Sequence, residues 1–329
     1  MRRRRNRQPP LERYFSDLEA DYAENTIQNR RVALRQFFEW AYMDDIEDIT
    51  TYVPEEIHIE TRDIEDFRRD LIKMDYAPRS IQDKLYALSH FCQYCEKRDI
   101  GHIDVDITDT KADDLKGNVI DSKTDKRYIE KEEFEEIRKS ARNLRDELLI
   151  QLLWDTGVRA SEAIKIKKSD INFEEQKIKV QNAKEQKNTE QTDRPVYYSK
   201  RLSLLLRKWI NNGHRESYMY TGSEKDEGHL LVTNQSPRMA VNRVNEIVKE
   251  TIKRSSVDNE ILYTDVSGAK RHKYTSHAFR HSFAVHRVKQ GCPIIYLRDM
   301  LNHSTIEQTE DYLRFRDDDI KEAYRKYSP

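Results

Sequence analysis

The stretch LNHSTIEQTEDYLRF, residues 301–315, sets His303 nine positions ahead of Tyr312. Upstream, HAFRH at 277–281 carries His277 and Arg280, and DTGVRASEA at 155–163 carries Arg159. Together these segments supply two guanidinium groups, two imidazoles and a late tyrosine. Attack by a protein hydroxyl on a phosphodiester needs such a set: an oxygen nucleophile, cations that clamp the phosphate and partners for proton transfer. Tyr312 by itself carries little weight. The chain has 18 tyrosines, and a phenol with an ordinary pKa near ~10 is a poor nucleophile at neutral pH. Its company is what marks it.

The 329 residues suit two domains rather than one. Charged and hydrophobic residues each make up 36%, which points to modest cores with long solvated helical faces. No apolar stretch approaches the roughly 20 residues that a bilayer crossing needs. The opening MRRRRNRQPP lacks the apolar run of a secretory leader. The expectation is therefore an intracellular, cytoplasmic protein with no membrane role. The formal net charge of −1 hides an uneven distribution, acidic over 42–66 and basic at the N-terminus, 194–208 and 270–289. A nucleic-acid binder can be neutral overall if one face is basic.

Three cysteines, Cys92, Cys95 and Cys292, are too few for a disulfide scaffold. Cys92 and Cys95 form a CxxC. With no second pair of ligands nearby, they read as small apolar residues on one helix face rather than as half a zinc site.

Helical spacing of apolar residues covers 12–43, then about 61–74 and 79–97, and predicts a four-helix N-terminal domain over 11–100. An acidic connection fills 44–60. The stretch 101–126, GHIDVDITDTKADDLKGNVIDSKTDK, lacks an amphipathic period and reads as a linker. From 127 to 329 the pattern is mainly helical, with QKIKVQNAK and RPVYYS as a β-hairpin and LLV at 230–232 as a short strand. Gly157 and Gly213 fit helix stops, and Pro237 fits a helix start. A short helix is expected to bear Tyr312, and a charged helix to span 317–327. The fold class is mainly α with a small antiparallel sheet.

On a helix, His277, Arg280 and His281 share a face, so a phosphate above it would meet a guanidinium fork and an imidazole donor. His277 and His281 also have the spacing of zinc ligands, but a zincin would carry Glu where Ala278 stands. No metal is expected. In DTGVRASEA, Glu162 lies three positions after Arg159 and could orient it. Arg suits a phosphate because its planar fork donates two parallel hydrogen bonds. A proton donor for the leaving oxygen is also wanted. Lys184 and Lys187, in the turn of the hairpin, are both candidates. Arg2, Arg3, Arg4 and Arg5 form a basic arm over 1–10 able to track a DNA groove. Arg271 and Lys273 are further DNA-binding candidates, in a polar segment, 252–273, that looks like an inserted loop.

These boxes resemble those of the tyrosine recombinase family, the phage integrase and Xer-type site-specific DNA recombinases. TGVRASEA is similar to the family's first arginine box, HAFRHSFAVHRVKQG to its HxxRH box, and LNHSTIEQTEDYL to its terminal LGHSSIxTTxxY box. ERYFSDLEADYAENTIQNRRVALRQFFEWA is similar to its helical core-binding domain. Asn302 stands where the family usually has Gly, and NAKEQK replaces the common GKGxK.

The resemblance implies that Tyr312 forms a 3′-phosphotyrosyl bond and frees a 5′ hydroxyl. Arg159 and Arg280 would clamp the phosphate, with His303 bonded to it. His277 would accept the tyrosine proton, Lys184 would protonate the leaving oxygen, and Glu162 and His281 would support the site. It further implies no cofactor, a catalytic domain over 127–329, a C-shaped clamp on double-stranded DNA with paired inverted repeats, and a homo-tetramer on two duplexes. Two other readings stand beside it: a DNA-binding relative that has lost cleavage, and an enzyme like the type IB topoisomerases.

Overall fold

The computed structural model of the chain describes residues 9–105, 128–181, 193–219, 225–264, 268–303, 305–313 and 325. Arg2 to Arg5, Lys184, Lys187, residues 106–126 of the expected linker and the expected tail helix, Arg325 excepted, lie outside the described residues. The chain divides near Asp125 into two compact units. Among the described residues no helix is long and apolar enough to cross a membrane.

The first unit runs α1 (Pro10–Asp21), α2 (Glu24–Tyr42), β1 (His58–Glu60), α3 (Thr61–Lys73), α4 (Pro78–Glu96) and β2 (His102–Asp104). The helical pattern over 12–43 is two helices, parted at Tyr22 and Ala23, which are both extended. Neither Gly nor Pro marks the break. Tertiary contacts hold it: the Tyr22 hydroxyl lies 3.2 Å from His90 Nε2 on α4, and the Arg30 guanidinium sits 4.2 Å over the Tyr22 ring.

Local chemistry starts the later helices. The Glu60 amide donates to the Asp63 carboxylate at 2.8 Å to open α3, and Pro78 occupies the first turn of α4, where a missing N–H costs nothing. Leu11, Phe37, Phe38, Phe67 and Phe91 form the core. Cys92 and Cys95 are buried within it, and that burial pushes both thiols up to about 12, as expected of structural rather than reactive cysteines. β1 and β2 pair in parallel, Ile59 against Ile103. Both strands fall in segments that read from the sequence as connection and linker, because three residues are too few to display a strand period.

The second unit runs α5 (Lys131–Lys139), α6 (Leu144–Thr156), α7 (Ala160–Ala163), β3 (Ile171–Asn172), β4 (Lys177–Val180), β5 (Arg194–Tyr197), α8 (Lys200–Asn211), α9 (His214–Tyr218), α10 (Val241–Arg254), β6 (Ile261–Thr264), β7 (Lys270–His272), α11 (Ser276–Lys289), α12 (Ile294–Leu301) and α13 (Glu307–Glu310). Helix α6 is central. Leu148, Leu149, Ile150, Leu152 and Leu153 bury a broad apolar face, and Arg145, Asp146 and Gln151 are buried beside them. Helices α8 and α11 pack on it. β3, β4 and β5 form an antiparallel sheet in sequence order, with Ile178 opposite Val196.

Three local expectations differ from the structure. LLV at 230–232 is buried but is not a strand. α10 begins at Val241 rather than at Pro237, because a turn closed by Thr233 and Ser236 doubles the chain back until the Met239 amide bonds the Leu231 carbonyl at 3.1 Å. The polar segment 252–273 holds the two-stranded β6–β7 sheet rather than only a loop.

Candidate active site

Helix α6 stops at Gly157, whose φ of +60° lies in the left-handed region. A Cβ there would approach the Phe283 ring to 2.8 Å, so glycine serves both the backbone angle and the close packing. The chain then turns into α7, with Arg159 as its cap. Glu162, fully buried at 0% exposure, accepts from the Arg159 amide at 2.8 Å and from Arg159 Nη1 at 3.0 Å. Glu162 thereby holds Arg159 at two points, its backbone amide and its guanidinium.

Arg280, on α11, is only 2% exposed. Its Nη1 donates to the Gly157 carbonyl at 2.9 Å, and its Nη2 donates to the Leu301 carbonyl. Glu162 lies 4.0 Å away. A third guanidinium, which the sequence reading passed over, completes the cluster. Arg194 donates through Nη2 to Glu162 Oε2 at 3.1 Å, through Nη1 to Oε1 at 3.4 Å, and through Nε to the Met300 carbonyl at 3.3 Å. A signal existed in RPVYYS: residues two apart on a strand share a face. Arg194 therefore lies on the face of buried Val196, where a charge needs a partner.

The electrostatics follow from this crowding. Burial works to raise the Glu162 pKa, but Arg194 and Arg159 outweigh it and hold the carboxyl below its ordinary value. Burial, then the field of Arg159, pushes Arg280 down to about 10, which leaves it cationic at neutral pH. Burial, followed by Arg280 and Arg159, pushes His303 down to about 4. His277, in the first turn of α11, is an exposed residue, but the protein around it displaces much of the water its charged form would need. That desolvation, then Arg280 and Arg159, lowers its pKa. Both imidazoles are neutral at pH 7 and so available to exchange a proton.

Tyr312 lies in the turn just after α13, not on a helix as expected. The four-residue α13 is too short to extend that far, and the Tyr312 amide bonds the Thr309 carbonyl at 3.1 Å. The ring is 8% exposed and packs with Phe283, Val288, Leu297 and Leu301. It lies 5.2 Å from the His281 ring and 6.5 Å from the nearly parallel His303 ring. Asn302, with φ of +52°, ends α12 in the left-handed conformation that Asn tolerates better than most residues. The His303 ring is then held by Thr309, whose Oγ1 lies 2.8 Å from Nδ1.

Of the remaining candidates, Arg271 is exposed on β7, and the Lys273 ammonium sits 4.9 Å over the Tyr274 ring. Lys184 and Lys187 belong to the segment between β4 and β5 that lies outside the described residues. Among the described residues, no group of three or more His, Cys, Asp or Glu side chains is placed to hold a metal ion.

The sequence model of the phage integrase family matches residues 127–318. The chain belongs to that family of tyrosine recombinases. Among its relatives, the tyrosine recombinase XerA of Pyrococcus horikoshii is 26% identical over 317 residues, covering 96% of this chain and 92% of that protein. The tyrosine recombinase XerC of Leptospira interrogans is 24% identical over 322 residues, covering 96% and 91%. The fold is shared with the Tn1549 transposon integrase in complex with circular intermediate DNA, at a TM-score of 0.66 and 16% identity over 93% of this chain and 95% of that one. It is shared also with the XerH site-specific recombinase bound to its difH substrate, at a TM-score of 0.63 and 18% identity over 97% and 84%. The topoisomerase-like and inactive readings gain no comparable support.

Proposed function

We propose that this chain is a site-specific DNA recombinase that cuts and rejoins double-stranded DNA through a 3′-phosphotyrosyl intermediate. The observation that carries the reading is the convergence of Arg159, Glu162, Arg280, His303 and Tyr312, from separate sequence segments, on one buried charged cluster.

In this reading the Tyr312 oxygen attacks the scissile phosphorus, and the bond from phosphorus to the 5′ oxygen breaks. His277 takes the phenolic proton, and Lys184 or Lys187 supplies a proton to the departing oxygen. Arg159 and Arg280 meet the charge that gathers on the non-bridging oxygens. A phosphate oxygen can only accept, so His303 must present a hydrogen on Nε2. Thr309 then donates to Nδ1, which fixes that tautomer. Glu162 keeps Arg159 in place, and His281 packs beside Tyr312.

Residues 1–10 would act as a DNA-tracking arm, 11–100 as a core-binding domain, 101–126 as a linker and 127–329 as the catalytic domain. Arg271 and Lys273 would add phosphate contacts. The assembly would be a homo-tetramer on two duplexes bearing inverted repeats, acting in the cytoplasm without metal or nucleotide.

The test uses a pool of nicked duplexes with randomised sequence around the nick, incubated with the full chain. Wild type is expected to retain a subset of DNA through detergent, and that subset should share an inverted repeat. Tyr312→Phe should retain none while still binding. Covalent capture undiminished in Tyr312→Phe would overturn the assignment of the nucleophile, and no capture by wild type would overturn the reading itself.

A further inference from the structure

We infer that Arg194 is a positioning residue that keeps the Glu162 carboxylate from neutralising the phosphate clamp, an inference that rests on the recombinase reading above. Arg194 is a poor candidate for touching DNA. Its side chain is 11% exposed, and its described donors are turned to the carboxylate and to the Met300 carbonyl. It spans both oxygens of Glu162, a geometry that a guanidinium achieves and an ammonium does not.

Charge accounting gives this contact its purpose. Arg159, Arg280 and Arg194 carry three positive charges around the single negative charge of Glu162, so the cluster is +2 overall. A phosphodiester brings one negative charge, and about one more gathers as the tyrosine oxygen adds. Without Arg194 the cluster would be +1. The buried carboxylate would then draw Arg159 and Arg280 toward itself, away from the phosphate.

Arg194 also joins three parts of the site. It begins β5, so it directly follows the segment that holds Lys184 and Lys187. It binds Glu162 on α7, and it binds the Met300 carbonyl near the end of α12, three residues before His303. One side chain thereby registers the start of β5 against the arginine box and the end of α12.

The experiment measures single-turnover covalent capture at saturating DNA, alongside DNA affinity, with the duplex recovered from the randomised pool. Arg194→Met and Arg194→Lys are expected to slow capture by roughly 10- to 100-fold, as loss of a group supporting catalytic residues does. Affinity should change by less than about threefold, because the contribution appears mainly in the transition state. Combining Arg194→Met with Glu162→Gln restores the +2 cluster and should recover part of the rate lost in Arg194→Met.

Wild-type speed in Arg194→Lys, a loss confined to affinity, or losses that simply add in the double variant would overturn the inference. Arg194→Lys keeps the test decisive if Arg194→Met does not fold. Failure of wild type to capture any duplex would remove the underlying reading and this inference with it.

Discussion

The Thr309 hydroxyl lies 2.8 Å from His303 Nδ1, and the Thr309 carbonyl accepts the backbone amide of Tyr312 at 3.1 Å. One buried threonine thus orients the histidine through its side chain and the tyrosine through its backbone. Thr309→Val keeps the shape and the backbone bond but removes the hydroxyl. It should cost about 1–3 kcal/mol in the transition state, roughly 5- to 160-fold in covalent capture, with folding and DNA affinity preserved. Single-turnover capture beside a denaturant melt checks this. An unchanged rate would remove Thr309 from the site.

Gly157→Ala should destabilise the second unit more than Gly213→Ala does. Both glycines have positive φ, +60° and +74°, so both variants carry the left-handed backbone cost of about 1–2 kcal/mol. Only at Gly157 would the new Cβ also press on the Phe283 ring; at Gly213 nothing lies within 4 Å. Because the Gly157 carbonyl holds Arg280, its variant should also slow capture. Denaturant midpoints for the two variants, measured side by side, separate the backbone cost from the clash.

Acid should weaken the DNA-free fold through His303. Its pKa is about 4 in the folded chain against roughly 6.5 when unfolded, so between those values the unfolded chain binds more protons. The stabilisation is full above about pH 6.5 and is lost as pH falls toward 4. His277, also lowered, acts in the same direction. Denaturant midpoints across that range should fall for wild type and fall less steeply for His303→Gln. Identical slopes would contradict the depressed pKa.

The two lysine candidates are separable by leaving-group chemistry. Replacing the 5′ oxygen by sulfur makes the departing group a weak base that needs no proton. The lysine that donates the proton should slow the oxygen substrate when changed to Ala and spare the sulfur one. Lys184→Ala is expected to behave this way and Lys187→Ala to leave both rates near wild type. The reverse result would move the role to Lys187.

Much of the site was legible because its boxes are contiguous. Gly157, Arg159 and Glu162 fall within six consecutive residues, and the left-handed bend at Asn302 is written in the Gly-like tolerance of Asn. What the sequence concealed depends on contacts between distant segments. The break at Tyr22 is held by His90 and Arg30 rather than by a local breaker. The β1–β2 pair joins residues more than forty apart, each strand only three residues long. Arg194 gains its meaning from Glu162, 32 positions away. The packing and hydrogen-bond partners of Tyr312 are likewise tertiary facts, since position alone does not tell a helix from the turn beyond it.

The two carbonyls that Arg280 grips, Gly157 and Leu301, sit at the carboxyl ends of α6 and α12. Both helices therefore aim the negative ends of their dipoles at one buried cation. The arginine is a keystone of the architecture as well as the proposed clamp for the phosphate. Its replacement would loosen the junction from which His303 and Tyr312 are hung. On the recombinase reading, evolution could then discard cleavage by exchanging Tyr312 for Phe, which keeps the buried ring, whereas losing Arg280 would endanger the fold. A chain of this family that keeps the arginine but not the tyrosine would be a silenced enzyme still able to embrace DNA.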